Sequence, residues 1–156
     1  LAQKRHKGVV ILVNKWDLME NKTTNTARDY ESAIKNKLAP FDDVPILFIS
    51  ALDKQRIFQA VEAALEVYEN RTRRIKTSEL NEVMMAAIEA TPPPSVHSRY
   101  PKFKYVTQLP TAFPSFAFFV NNPNYVRDSY KQYLENQLRK NFNFKGVPME
   151  VFMRSK

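Results

Sequence analysis

The chain has 156 residues, 44% of them hydrophobic, and a formal net charge of +8, a composition too apolar for disorder and sized for one ordinary domain or two small ones. The absence of cysteine excludes disulfides, iron–sulfur clusters and thiolate zinc sites and suits a reducing cytoplasm, and two histidines, His6 and His97, argue against a protein-built metal centre. No apolar run approaches the roughly 20 residues of a spanning helix, and the opening LAQKRHKGVV lacks the apolar core and cleavage site of a signal peptide, so a soluble, cytoplasmic protein with no membrane partner is expected.

Residues 8 to 13, GVVILV, form a continuous apolar run rich in β-branched residues, the pattern of a strand buried on both faces. After a polar loop, Tyr30, Ala33, Ile34, Leu38 and Phe41 fall at helical spacing, with Pro40 marking the end. Pro45 opens a second apolar run, ILFIS, and Ile57, Val61, Leu65 and Tyr68 predict the inward stripe of a helix beginning near Asp53. Strand, helix, strand, helix is the unit of a parallel α/β sheet. Two strands buried on both faces need neighbours that residues 1 to 70 do not supply, so the chain is expected to start inside a domain, and in isolation to pair through its exposed strands.

Residues 71 to 76, RTRRIK, read as a basic linker, followed by a helix that Thr77 or Ser78 can cap, with the stripe Leu80, Val83, Met84, Ala87 and Ile88. Pro92, Pro93 and Pro94 end it. Phe103, Tyr105, Thr107 and Leu109 alternate with Lys102, Lys104, Val106 and Gln108, a half-buried strand with a partly basic outer face. FAFFV at 116 to 120 is a second strand. A helix from about Asp128 turns Tyr130, Tyr133, Leu134, Leu138 and Phe142 inward, and Val147, Met149, Val151 and Met153 alternate as a closing strand. The order α-β-β-α-β over residues 77 to 156 predicts a small α+β sandwich of the KH-like kind. The aromatic rings of residues 100 to 133 are mostly core by spacing. Asp42 and Asp43 read as turn chemistry, and His97 is a polar loop residue without an assigned role.

The charge is divided. Residues 1 to 70 hold ten basic and ten acidic residues, whereas residues 71 to 156 hold fourteen and six. A basic module beside a neutral one points to an anionic partner, nucleic acid first, an acidic protein face second and a membrane surface third. The cations that could serve are Arg71, Arg73, Arg74, Lys76, Arg99, Lys102 and Lys104.

Asn14, Lys15, Trp16 and Asp17 spell N-K-W-D directly after the first buried strand, where the loop opens into the crevice in which α/β folds bind ligands. A carboxylate at position 17 can accept hydrogen bonds from guanine N1–H and the exocyclic amine, a pattern that adenine cannot match. Lys15 can lay its stem along the purine and Asn14 can tie this loop to its neighbours, while Trp16 suits packing better than recognition. The second strand ends in Ser50, Ala51 and Leu52, which resembles the S-A-x signature of GTPases. That resemblance implies a Ser50 hydroxyl steadying Asp17 and an Ala51 N–H reaching guanine O6.

The segments TSELN, YVTQ, PSFAFFVN, YLENQLR and FKGVP, at 77–81, 105–108, 114–121, 133–139 and 144–148, resemble the C-terminal KH-like domain of the Der (EngA) GTPases, and residues 1 to 70 resemble the end of the second GTPase domain of that family. Departures are His97, Ser98 and Arg99 where many members have a Gly-Lys pair, and Val147 where Thr is common. The resemblance implies a fold in two parts, the C-terminal part of a P-loop GTPase domain followed by a KH-like sandwich. It also implies GTP or GDP as ligand, magnesium in the intact protein, and action in assembly of the large ribosomal subunit, with rRNA and the protein's own GTPase domains as partners. The only glycines are Gly8 and Gly146, so no G-x-x-x-x-G-K-[ST] and no D-x-x-G occurs, and this stretch alone is expected to be inactive as a GTPase. The G-x-x-G clamp of sequence-reading KH domains is missing too, which keeps open a second reading, a KH-like module that docks on protein with little RNA contact. A GTPase of tRNA modification is disfavoured because that family ends in a cysteine-bearing motif.

Overall fold

The computed structural model describes residues 1–96 and 98–155, so His97 lies outside the described residues. The chain divides into two compact units, Leu1–Arg71 with Phe144–Pro148, and Thr72–Asn143 with Met149–Lys156.

The first unit carries β1 (Ile11–Val13), α1 (Thr26–Leu38), β2 (Ile46–Phe48) and α2 (Ile57–Thr72). The strands are parallel, with Leu12 opposite Leu47 and Val13 opposite Phe48, and Ile49 N–H donates to Val13 O at 2.8 Å beyond them. β1 is shorter than the apolar run that encodes it because Val9 N–H donates to Gly146 O at 2.8 Å. Helix α1 stops where Ala39 turns extended ahead of Pro40, as the clash before a proline requires, but no residue of α1 is buried.

Helix α2 departs from its expected form at both start and face. Residues 50–55 close a turn through the Ser50–Gln55 bridge, and Lys54 and Arg56 take positive φ, which delays the helix to Ile57. The stripe expected inside lies outside: Val61, Leu65 and Tyr68 are 55%, 58% and 63% exposed, with Phe58 at 82%. The buried residues of α2 are Val67 and Asn70. The expected linker at 71 begins two residues later, since Arg71 and Thr72 complete α2.

Val67 is where this unit closes. A Cβ on Gly8 would stand 2.5 Å from Val67 Cγ1, and one on Gly146 2.5 Å from Val67 Cγ2 and 2.9 Å from Val9 O. Gly146 also has a φ of 77°, a left-handed conformation that glycine adopts without strain. Val147, expected at the start of the second unit's closing strand, is instead buried with this unit, as is Phe144. The left-handed Gly146 breaks the alternation that predicted strand.

The second unit has the order α3 (Thr77–Ala90), β3 (Phe103–Gln108), β4 (Ser115–Val120), α4 (Asp128–Asn141), β5 (Glu150–Arg154), the α-β-β-α-β of a KH-like sandwich. The sheet runs β3-β4-β5, β3 antiparallel and β5 parallel to β4. The parallel step is made through α4, as a parallel crossover requires. Leu80, Met84 and Ile88 of α3 and Tyr130, Leu134 and Leu138 of α4 are the buried faces, meeting Val106, Phe116 and Phe118, all at 0% exposure. A register shift between Phe103 and Tyr105 reverses the expected phase of β3, so that Val106 is buried and Tyr105 stacks on Phe119 at 4.4 Å. Lys76 occupies the N-cap of α3 without a side-chain cap bond, in place of the expected Thr77 or Ser78.

Polar side chains fix the edge of β3. The Asn81 amide donates to Val106 O and accepts from Val106 N–H, both at 2.8 Å. Arg74 donates to Leu109 O at 2.6 Å and Thr111 O at 2.7 Å, and Gln108 binds Ile75 N–H and Arg73 O at 2.9 and 2.8 Å. Tyr130 donates to Thr91 O at 2.7 Å. Burial, with Tyr133 adjacent, pushes its phenol well above the usual value.

Candidate functional site

The loops leaving the C-terminal ends of β1 and β2 line a cleft of about 360 Å³ formed by Asn14, Lys15, Asp17, Leu18, Ser50, Ala51 and Leu52. Parallel strands place both loops at one edge of the sheet. Their backbones are joined, Trp16 N–H donating to Ile49 O at 3.0 Å, and their side chains are joined where Ala51 N–H donates to Asn14 Oδ1 at 3.1 Å. Asn14 thus ties the loops together as its position suggested. Lys15 takes the left-handed conformation at φ 59°, uncommon for a residue with a Cβ, and lets the chain turn so that Asp17 enters the cleft.

Two expected details differ. Ser50 is fully buried, but its hydroxyl accepts from Asp53 N–H at 3.2 Å and shapes the 50–55 turn without steadying Asp17. Ala51 N–H is engaged by Asn14. Asp17 Oδ1 is buried with no hydrogen-bond partner, a costly arrangement for a carboxylate oxygen unless a donor completes it. Trp16 is turned from the cleft into a cluster with Phe48 at 4.3 Å and Tyr30 at 5.9 Å, with Lys22 Nζ 5.5 Å over its ring. Leu18, directly after the first motif, and Leu52, the variable position of the second, are 69% and 85% exposed and form apolar lips to which the motif reading assigned no role.

The basic candidates are not equivalent. In the first unit, Arg71 donates from Nε to His6 O at 3.1 Å. In the second, Arg74 is committed to backbone carbonyls, and with Arg73, Ile75, Glu79, Asn141, Phe142 and Asn143 it lines a polar cleft of about 240 Å³. Lys76, Arg99, Lys102 and Lys104 are exposed. Among the described residues no group of three His, Cys, Asp or Glu side chains is arranged to hold a metal ion. No described helix is long and apolar enough to cross a membrane.

Comparison with known proteins places these features in a lineage. Residues 74–154, just over half the chain, match the model of the KH-domain-like C-terminal region of EngA bacterial GTPase enzymes. The whole chain is 55% identical to GTPase Der of Christiangramia forsetii, 56% identical to GTPase Der of Flavobacterium johnsoniae and 51% identical to GTPase Der of Porphyromonas gingivalis. In each case it covers 36% of the relative's length, so the chain spans about a third of the curated relatives it matches. Among solved structures, Aquifex aeolicus Era Y63A bound to GDP and AlF4− aligns over 98% of this chain and 57% of its own at 16% identity and a TM-score of 0.33. The match over more than half of its residues assigns the chain to the EngA family of bacterial GTPases, whose C-terminal KH-like domain it carries.

Proposed function

We propose that the first unit reads the guanine base of GTP and GDP for a GTPase whose phosphate-binding parts lie in the longer relatives. The observation that supports this most is Asp17 Oδ1, buried and unpartnered at the cleft between the N-K-W-D and S-A-L loops. A guanine N1–H and exocyclic amine supply the two donors that a carboxylate at that point lacks, while adenine offers no donor at N1 and leaves the buried oxygen unsatisfied. The Lys15 stem and the Leu18 and Leu52 lips give the purine apolar contact, and Asn14 holds the two loops at fixed separation. When the base enters, Ala51 N–H has to be shared between Asn14 and guanine O6. The exposed stripe Phe58, Val61, Leu65 and Tyr68, with Leu12 on β1 at 46%, is the face that further strands of the same GTPase domain would cover. With that face uncovered the chain alone would pair with a second copy.

On this reading the intact protein hydrolyses GTP with magnesium in the cytoplasm. Its KH-like unit, carrying the positive charge, docks on rRNA of the large ribosomal subunit, the nucleotide state setting the strength of docking. A second reading, docking of this unit mainly on the protein's own GTPase domains, draws support from Arg74, whose guanidinium is spent on Leu109 and Thr111 carbonyls. Salt separates the two: phosphate contacts by several cations weaken steeply with added salt, and an apolar protein face does not.

The base-reading role is tested in the intact protein by Asp17→Asn. Guanine nucleotide binding should weaken by roughly 2–3 kcal/mol through loss of a charged hydrogen-bond pair, with preference moving toward xanthine, whose 2-oxo group accepts from the new amide. Unchanged guanine preference by nucleotide competition would refute the role of Asp17.

A further inference from the structure

The positive charge of the second unit is concentrated. From residue 90 to residue 127 the sequence has no Asp or Glu, yet it holds Arg99, Lys102, Lys104 and Arg127. Within this stretch the loop before β3 and the loop after β4 are bound to one another. Lys102 N–H donates to Asn121 Oδ1 at 2.8 Å, and Asn121 N–H donates back to Lys102 O at 3.1 Å. Asn121 Nδ2 also donates to Tyr100 O at 3.5 Å. Arg99 crosses the same gap, donating to the Tyr125 hydroxyl at 3.0 Å with its guanidinium 5.4 Å from that ring's centroid. The acids that border the stretch are Glu89 and Asp128, and Asp128 is paired with Lys131 at 2.8 Å, which holds its carboxyl below the usual range.

Within this acid-free stretch stands Tyr100, 66% exposed. Its backbone carbonyl is held by Asn121, so the ring is presented from a braced loop, and little ordering entropy remains to be lost when something packs on it. An exposed aromatic ring on a braced loop, with Arg99 and Lys102 beside it in the chain, matches what single-stranded nucleic acid asks of a protein: one face for a base and positive charge for the phosphates on either side. An apolar protein partner would not call for the cations, and duplex RNA would leave the ring unused.

We propose that the two braced loops, 98–102 and 121–127, form a contact surface for unpaired RNA, with Tyr100 stacking on one base and Lys102, Arg99 and Arg127 meeting the adjoining phosphates. The proposal rests on the reading of this unit as an RNA-docking domain and specifies where and in what form the RNA is held. It requires no G-x-x-G clamp.

The test is fluorescence anisotropy with a labelled, unstructured RNA of about 12 nucleotides and a duplex of equal length, over roughly 50 to 200 mM salt, using the full chain. Tyr100→Ala should weaken single-strand binding by about tenfold, as loss of one stacked base does, with the salt slope unchanged. Tyr100→Phe, which keeps the ring, should remain within about twofold of wild type, and duplex affinity should not respond to either change. Lys102→Ala should weaken binding and lower the salt slope by about 0.7, one phosphate contact on a single strand. Thermal melts establish that each variant folds. Single-strand binding that survives Tyr100→Ala and Lys102→Ala intact overturns this surface while leaving the unit an RNA binder. Absence of RNA binding by the wild type overturns the RNA reading as a whole, and polyglutamate bound in preference to RNA reassigns the surface to an acidic protein partner.

Discussion

The two units spend similar lengths of chain to opposite effect. Among the described residues, seven buried apolar side chains belong to the first unit and fourteen to the second, while nine of the eleven large exposed apolar side chains belong to the first. The second unit is a closed sandwich: two helical stripes meet the buried residues of β3 and β4, with β5 completing the sheet. In the first, Val67 of α2 closes on Gly8 and Gly146, while α1 buries no residue and the outer stripe of α2 faces solvent. Similar hydrophobicity therefore does not imply similar self-sufficiency, because burial needs a facing surface as well as an apolar one.

Equivalent substitutions in the two units sharpen that contrast. Leu134→Ala, at a fully buried position, should destabilise the second unit by about 3 kcal/mol, the transfer and cavity loss of a core leucine. Leu65→Ala, at 58% exposure, should cost the isolated chain no more than about 0.5 kcal/mol. Hydrogen exchange, read unit by unit, separates the two losses. A large cost at Leu65 would break the comparison and show the α2 stripe to be covered in solution. Protection of the first unit that rises with protein concentration would identify the cover as a second copy.

Gly146→Ala should act on the first unit in the reverse sense, costing about 2 kcal/mol from overpacking and left-handed strain combined. The new Cβ meets Val67 Cγ2 at 2.5 Å and Val9 O at 2.9 Å. Retained protection around β1 would show that Phe144–Pro148 is not needed to close that unit.

In the second unit, Asn81→Leu should cost about 2 kcal/mol, since it leaves the N–H and carbonyl of Val106 without their partner. Faster exchange at Val106, with amides in α4 unchanged, would localise the effect. A smaller change within this unit is expected from Tyr130→Phe, about 1 kcal/mol for one neutral hydrogen bond. Because burial raises this phenol above its unfolded value near 10, its contribution is complete below about pH 10 and is lost as the pH climbs toward the folded value. The wild type should therefore lose stability more steeply above pH 10 than the variant does, as alkaline unfolding monitored by circular dichroism would show.

The sequence carried the second unit nearly whole. The stripes Leu80–Met84–Ile88 and Tyr130–Leu134–Leu138 are both strongly periodic and locally sufficient, so position along the helix decided which side faced inward. Prediction failed where the answer depended on partners distant in the chain or on a single backbone dihedral. The α2 stripe is apolar whether or not a surface faces it, so periodicity reported an apolar face that this chain leaves exposed. The alternation read from Val147 onward places that residue in the closing strand, which begins only at Glu150; the left-handed turn at Gly146 just before it is not visible in the pattern. In β3 one bulge reversed the inward phase. At the cleft the motifs located five of the seven lining residues. The bonds made by Ser50 and Ala51 followed from the turn at 50–55, which no motif records, and Tyr100 resembled any other ring in an aromatic stretch until its exposure was known.

The amide of Asn81 has a consequence for assembly. By binding both backbone groups of Val106 it stands where another strand would add, and Arg74 takes the Leu109 carbonyl farther along the same edge. Among the described residues β5 has no strand on its far side, so this three-stranded sheet has one plugged border and one free border. Two copies joined at their free borders would each present only a plugged one outward. Growth through this sheet would therefore terminate at a pair, with Asn81 and Arg74 together guarding the unit against the open-ended strand stacking that produces fibres.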